Sequence, residues 1–188
     1  MGEKKIMVVP VGLEKSRVLY GSRLYAVNFV YLLHNPIEEN INEKKNLQSG
    51  ILRYSQKFAQ DAQKNMHDKF VQINPMAADL GHFDSCIGCL KDIFTKELNA
   101  DDACQFYLNI STASKAFAIA AYLVACLYPN NSKVFYLRSK NYIFLDYLDD
   151  DNAKMEELRE RFLSEGLTTE PYEVEEYQIG RASCRERV

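Results

Sequence analysis

The sequence predicts an α/β protein, a three-layer sandwich with a mostly parallel central sheet. Short apolar runs alternate with longer segments whose apolar residues recur at helical spacing. The first run, Lys5 to Val11 (KIMVVPV), is apolar almost without interruption, as in a strand covered on both faces. Turn-forming residues, Gly12 and the Pro-Asn-Asn of Pro129 to Asn131, fall between the periodic segments.

Each element follows from its local pattern. Pro10 sits near the end of the first strand, where a missing donor is tolerated, and Gly12 permits a sharp turn. Glu14 to Val27 carries Val18, Leu19, Tyr25 and Ala26 at helical spacing, and Asn28 to Leu33 (NFVYLL) reads as the second strand. After the charged, Asn-rich stretch Glu38 to Lys45, residues Leu47 to Met66 form an amphipathic helix with Ile51, Leu52, Tyr54, Phe58 and Ala62 on one side. Lys69 to Asn74 is a third, shorter strand, and Asp84 to Leu98 is a helix with Ile87, Leu90, Ile93, Phe94 and Leu98 inward. Gln105 to Ile110 is the fourth strand, Ser111 to Tyr128 the most apolar helix, and Ser132 to Leu137 the fifth strand. Asn141 to Asp146 extends that strand or forms a short one. Asp149 to Asp151 supplies an acidic start for a helix over Ala153 to Leu163, ended by Gly166, and Pro171 to Gln178 alternates as a further strand. Right-handed crossovers make such an alternation a Rossmann-like, open, doubly wound sheet.

Composition narrows the function classes. A chain of 188 residues fits one full domain. Its formal charge of −3 provides no global basic field for a nucleic acid, so a polyanion would need a local site. The longest apolar run, Ala116 to Tyr128, is too short to span a bilayer. No secretory signal precedes the first strand, and four of the five cysteines sit in or beside apolar segments; a reducing cytoplasm is the expected compartment. Cys86 and Cys89 form a C-x-x-C on the apolar side of a helix, without a second pair or His partners at zinc spacing, and read as core residues. His34 ends the second strand and could border a site, whereas His82 reads as a turn residue. No carboxylate pair stands out for acid–base work, so no catalytic residue, metal site or cofactor is expected. The last ten residues, IGRASCRERV, continue no earlier pattern and match the translation of a sequencing adapter; a basic, disordered tail is the alternative.

Ligands of doubly wound sheets bind outside the carboxyl ends of the strands, which selects two loops. In the second, Asn109 to Lys115 (NISTASK), the hydroxyls of Ser111, Thr112 and Ser114 stand at the mouth of a helix, where one of them should act as its cap. Free amides and the helix dipole favour an anion there, and Lys115 adds a positive charge. Asn109 offers a donor and an acceptor suited to a base or ribose edge. The same residues serve equally as a plain helix cap with a solvated lysine. In the first loop Gly12 allows close approach to a ligand, while Lys15, Ser16 and Arg17 could reach phosphates; Glu14, Lys15 and Arg17 could also be a charged first turn and no more. No Walker or GxGxxG motif is present, so ATPase and NAD-binding readings have no motif to rest on.

A strand ending V-G-L-E-x-x-R, and a fourth strand running into N-I-S-T-A-S-K-x-F-A-I-A-A, resemble the CARF domains, the Rossmann-like sensors associated with CRISPR systems. The resemblance spans roughly residues 5 to 145 and is nearest to the haloarchaeal-type subgroup, whose members resemble helix-turn-helix transcriptional regulators. There the second motif reads roughly N-I-S-S-G-T-K; Asn109 and Lys115 match, and Ala113 and Ser114 stand where Gly-Thr is usual. The resemblance implies a homodimer whose strand-end loops form one two-fold pocket for cyclic oligoadenylate. It implies Asn109, Ser111, Thr112, Ser114 and Lys115 on phosphate and ribose, with Gly12, Glu14 and Arg17 on the opposite wall. It also implies a C-terminal effector, a DNA-binding helix-turn-helix or a nuclease, so that DNA is met only through a part missing here. The expected organisation is a sensor domain over 1–148, a helix and the start of a further strand over 149–178, and an artefact over 179–188. Two alternatives accompany this reading: a ring nuclease in which a ribose 2′-hydroxyl attacks the adjacent phosphate beside Lys115, or another Rossmann-like nucleotide-binding enzyme such as a transferase.

Overall fold

The computed structural model describes residues 3–11, 15–36, 71–140, 157, 160–161, 164–165 and 172–177. Six strands form one sheet: β1 (Lys5–Pro10), β2 (Phe29–His34), β3 (Gln72–Ala77), β4 (Gln105–Asn109), β5 (Ser132–Ser139) and β6 (Tyr172–Tyr177). Among the described residues they are accompanied by the helices α1 (Lys15–Leu24), α2 (Phe83–Ala100) and α3 (Lys115–Leu127). The strand order is β3-β2-β1-β4-β5-β6; β6 alone runs antiparallel to its neighbour. This is the Rossmann-like α/β sandwich that the sequence predicts.

The apolar run of β1 divides by strand alternation. Ile6 and Val8 join the core with α2 and α3, where Phe94 stacks on Phe106 at 3.9 Å. Met7 and Val9 join the opposite core with Tyr20 and Tyr25 from the α1 side. The helices therefore cover both faces, and the order reverses between β1 and β4: α1 carries the chain from β1 outward to β2, and α3 carries it from β4 the other way to β5. At the opposite end from the strand-end loops, buried Glu97 of α2 pairs with Lys4 and accepts a hydrogen bond from Tyr31 of β2.

Some boundaries differ from the sequence expectation. The third strand is Gln72–Ala77, three residues later than Lys69 to Asn74, and it includes Pro75 opposite Leu32. β3 lies at the sheet edge, where a proline's missing N–H leaves no partner wanting. The most apolar helix starts at Lys115, because Ser111 to Ser114 form a turn whose side-chain bonds hold it out of the helix. Tyr172–Tyr177 closes the far edge of the same sheet, with exposed ion pairs from Arg138 to Glu173 and Glu175. The helix expected over Leu47 to Met66, the segment Asn141 to Asp146 and the tail 179–188 lie outside the described residues; of the helix over Ala153 to Leu163, Glu157, Glu160 and Arg161 are described and are helical. No helix among the described residues is long and apolar enough to cross a membrane.

Candidate functional site

The strand order reverses between β1 and β4, and both loops singled out by the sequence follow the carboxyl ends of these strands. The loop after β4 is held by its own side chains. Asn109 is fully buried; its Oδ1 accepts from the Ser111 amide at 3.0 Å and the Ser111 hydroxyl at 2.6 Å, and its Nδ2 donates to the Arg17 carbonyl at 3.1 Å. Ser111 Oγ also accepts from the Leu137 amide at 2.8 Å, joining the loop to β5. Thr112 Oγ1 donates to the Pro10 carbonyl at 2.6 Å, which ties the β4 loop to the end of β1.

Ser114 is the helix cap. Its backbone is extended, its hydroxyl accepts from the Phe117 amide at 3.1 Å, and it donates to the Leu80 carbonyl in the loop after β3. The first α3 bond runs from the Ala118 amide to the Ser114 carbonyl, so the amides of Lys115 and Ala116 lie ahead of the intrahelical ladder. The Lys115 side chain is exposed, and no hydrogen bond or ion pair engages it among the described residues. The outward chemistry of this loop is thus a helix N-terminus with two amides and one ammonium, set on a framework of inward-facing hydroxyls.

Arg17 is also turned inward. It is 9% exposed, and its Nη1 donates to the Ser111 carbonyl at 3.1 Å and the Tyr136 hydroxyl at 3.4 Å, while Nη2 donates to Ser139 Oγ at 3.0 Å. Its guanidinium lies 5.7 Å from the Tyr136 ring centre and 6.0 Å from that of Tyr172. Arg17 and Asn109 therefore brace α1 against the β4 and β5 ends; for either side chain to take a ligand, these bonds would have to open. Gly12 and Glu14 lie outside the described residues. Tyr136, Ser139 and Leu80 complete the framework without having been anticipated. The strand-end rule, applied to β5 and β3 as well, marks Ser139 and the loop beyond Ala77.

The C-x-x-C cysteines are core residues of α2, with Cys86 fully buried and Cys89 nearly so, and burial pushes both thiols up, Cys89 to about 11. His34 ends β2 with its Nδ1 3.0 Å from the Asn35 carbonyl.

Comparison with known proteins follows the same lines. A family model described as HFX_2341_N:-like, N-terminal, matches residues 5–142. Csm6 from Enterococcus italicus, solved bound to cyclic hexa-2′-fluoro-hexa-dAMP, superposes with a TM-score of 0.63 at 15% identity; the match covers 94% of this chain and 42% of that one. Can2 from Sulfobacillus thermosulfidooxidans, solved in complex with cyclic tetra-adenylate, matches with a TM-score of 0.46 at 15% identity over 71% of this chain and 32% of that one. The chain thus spans less than half the length of either protein. No curated protein sequence matches it.

Proposed function

Since the chain belongs to the family described as HFX_2341_N:-like, N-terminal, we propose that it is a CARF-type nucleotide sensor that binds cyclic oligoadenylate at the β1 and β4 strand ends of a homodimer. The ligand named with Csm6 is of this class, and that protein shares the fold. One observation carries the reading: at the β1/β4 switch point Asn109, Ser111, Thr112 and Ser114 hold the loop rigid, so the α3 N-terminus and Lys115 are preorganised for an anion. In this reading Lys115 and the loop backbone meet phosphate and ribose directly. Asn109, Ser111, Thr112, Ser114 and Arg17 shape the wall, and Gly12 and Glu14 line its opposite side.

A cyclic, symmetric anion suits a two-fold pocket, because an isologous dimer presents each Lys115 twice. The outer face of α3 supports the pairing. Ile119, Tyr122, Leu123 and Leu127 are 56%, 41%, 47% and 65% exposed, at helical spacing, beginning one turn beyond Lys115. Ligand binding would shift the relative pose of the two protomers, and a C-terminal effector, a DNA-binding helix-turn-helix in the haloarchaeal-type regulators, would respond.

Calorimetry with cyclic tetra- and hexa-adenylate tests the reading. Lys115→Ala is expected to weaken binding about tenfold, or roughly 1.4 kcal/mol for a charge-assisted contact. Unchanged affinity would remove Lys115 from the site, and no binding of either ring by the unmodified chain would remove the reading.

A further inference from the structure

The last strand of the sheet begins at the same rim as the two loops. In the β5–β6 register Ser139, at the carboxyl end of β5, stands opposite Tyr172, the first residue of β6. Arg17 reaches this corner from the first turn of α1. Its Nη2 donates to Ser139 Oγ, and its guanidinium lies 6.0 Å from the centre of the Tyr172 ring. Through Nη1 the same guanidinium donates to the Ser111 carbonyl, in the loop that leads to Lys115. One buried cation thus touches the nucleotide loop on one side and the start of β6 on the other.

Two further side chains from the α1 segment carry β6. Tyr20, three residues after Arg17 and on the same helix face, packs on Tyr172 with ring centres 5.2 Å apart. Tyr25, just past the helix, donates to Glu176 Oε1 at 2.7 Å. The strand itself buries little. Of its six residues only Tyr172 is buried, whereas β1 buries five of six. The ion pairs from Lys133 and Arg138 to Glu173, Glu175 and Glu176 are exposed, and such pairs contribute little. An edge strand with one buried side chain can open locally while the rest of the domain stays folded.

We infer that β6 and the nucleotide site are coupled through Arg17: docked β6 holds the guanidinium against Ser111, and a bound ring holds β6 in its place in the sheet. This rests on the proposed binding of cyclic oligoadenylate, whose site β6 regulates. With β6 docked, Tyr172 and Ser139 fix Arg17, and Arg17 fixes the Ser111 carbonyl. The loop before α3 then presents Lys115 and the helix amides already ordered. When β6 lifts off, the guanidinium loses the Tyr172 wall, the loop gains freedom, and ordering it again weakens binding. Linkage makes the effect reciprocal: the factor that β6 docking adds to ring affinity is the factor that ring binding adds to β6 docking. Arg17 is a positioning residue in this coupling. β6 lies outside residues 5–142, which match the family model, and the coupling adds it to the site.

The test runs calorimetry and hydrogen exchange with mass detection side by side, with cyclic tetra- and hexa-adenylate. Ring binding is expected to slow exchange of the Tyr172–Tyr177 amides about fivefold or more. Tyr172→Ala is expected to speed that exchange in the free chain and to weaken ring binding by about fivefold or more. Ser139→Ala removes one acceptor of Arg17 and leaves Tyr172 in place; it is expected to weaken binding about threefold, and it carries the comparison if Tyr172→Ala does not fold. A double-mutant cycle tests the route: in an Arg17→Met background, Tyr172→Ala should change affinity by less than about twofold. Three results overturn the coupling and leave the sensor reading standing: a ring that binds without slowing β6 exchange, a folded Tyr172→Ala or Ser139→Ala chain that binds as tightly as the unmodified one, or losses from Arg17→Met and Tyr172→Ala that multiply. If neither ring binds, both fall.

Discussion

Asn109 shows how a single buried amide can organise a loop. Its three hydrogen bonds reach Ser111 nearby and Arg17 across the sheet, all in a fully buried position. Removing the amide strands the Arg17 carbonyl and loosens the Ser111 turn, and an unsatisfied buried group costs about 1–3 kcal/mol. Asn109→Ala is therefore expected to lower Tm by roughly 4–8 °C for a loss of about 2 kcal/mol in a chain of this size. It should also weaken ring binding, because the loop that presents Lys115 is no longer held. Differential scanning calorimetry and ligand titration would check both, and an unchanged Tm would count against the bracing role. The sequence shows Asn109 as a polar residue at a strand end followed by hydroxyls, which suffices to mark the loop. It does not show the partners, since Arg17, Pro10, Leu80 and Leu137 come from other elements, and the direction in which each hydroxyl points depends on them.

At the scale of elements, α1 is fitted to the β4–β5 ends through a glycine. A Cβ on Gly21 would stand 2.8 Å from Asn109 Nδ2 and 3.1 Å from Phe135 Cζ, and Asn109 Nδ2 cannot swing away without leaving the Arg17 carbonyl. Glycine inside a helix costs about 1 kcal/mol relative to alanine, so helix propensity alone favours Gly21→Ala. Close packing predicts the opposite sign: α1 must back off from β4 and β5, and such overpacking costs about 1–3 kcal/mol. Urea denaturation of Gly21→Ala should show a lower midpoint than the unmodified chain, and a raised midpoint would mean that α1 does not pack as described. Element types were legible because buried parallel strands are continuously apolar and helices are periodic, as in β1 and α3. The start of α3 was not, since the turn Ser111 to Ser114 is set by bonds to Pro10, Leu80 and Leu137. The register of β3 was hidden by Pro75, whose tolerance depends on an edge position that only the strand order reveals.

Across the whole molecule, the amino end of the sheet holds a buried ion pair. There burial pushes the Glu97 carboxyl up, but the Lys4 ammonium, the Tyr31 hydroxyl and the nearby Lys96 outweigh it and hold Glu97 below the usual carboxylate range. A carboxyl with a depressed folded-state pKa stabilises the fold fully above its unfolded value, about 4.3, and loses that contribution as pH falls through the folded value. Glu97→Gln should therefore be less stable than the unmodified chain at neutral pH, with the gap narrowing below about pH 4.3; a gap in urea midpoint that stays constant with pH would exclude this ion pair as its source. Along its length, α3 is apolar on two opposed faces. Phe117, Ala120, Ala121, Val124 and Ala125 are buried against the sheet and α2, while Ile119, Tyr122, Leu123 and Leu127 face outward. A helix that is apolar all round is ordinarily covered all round, and after Lys115 this one has no charged residue to select a polar partner. In the proposed pairing a second copy would supply an equally uncharged stripe and bring two Lys115 side chains to one pocket. Leu123→Glu changes an exposed position, so the protomer should fold with unchanged secondary structure by circular dichroism. In light scattering after gel filtration the unmodified chain is expected at the dimer mass and Leu123→Glu at the monomer mass, with ring affinity falling at least tenfold because half of the pocket is gone. A Leu123→Glu dimer that binds as before would place the two-fold interface on another face.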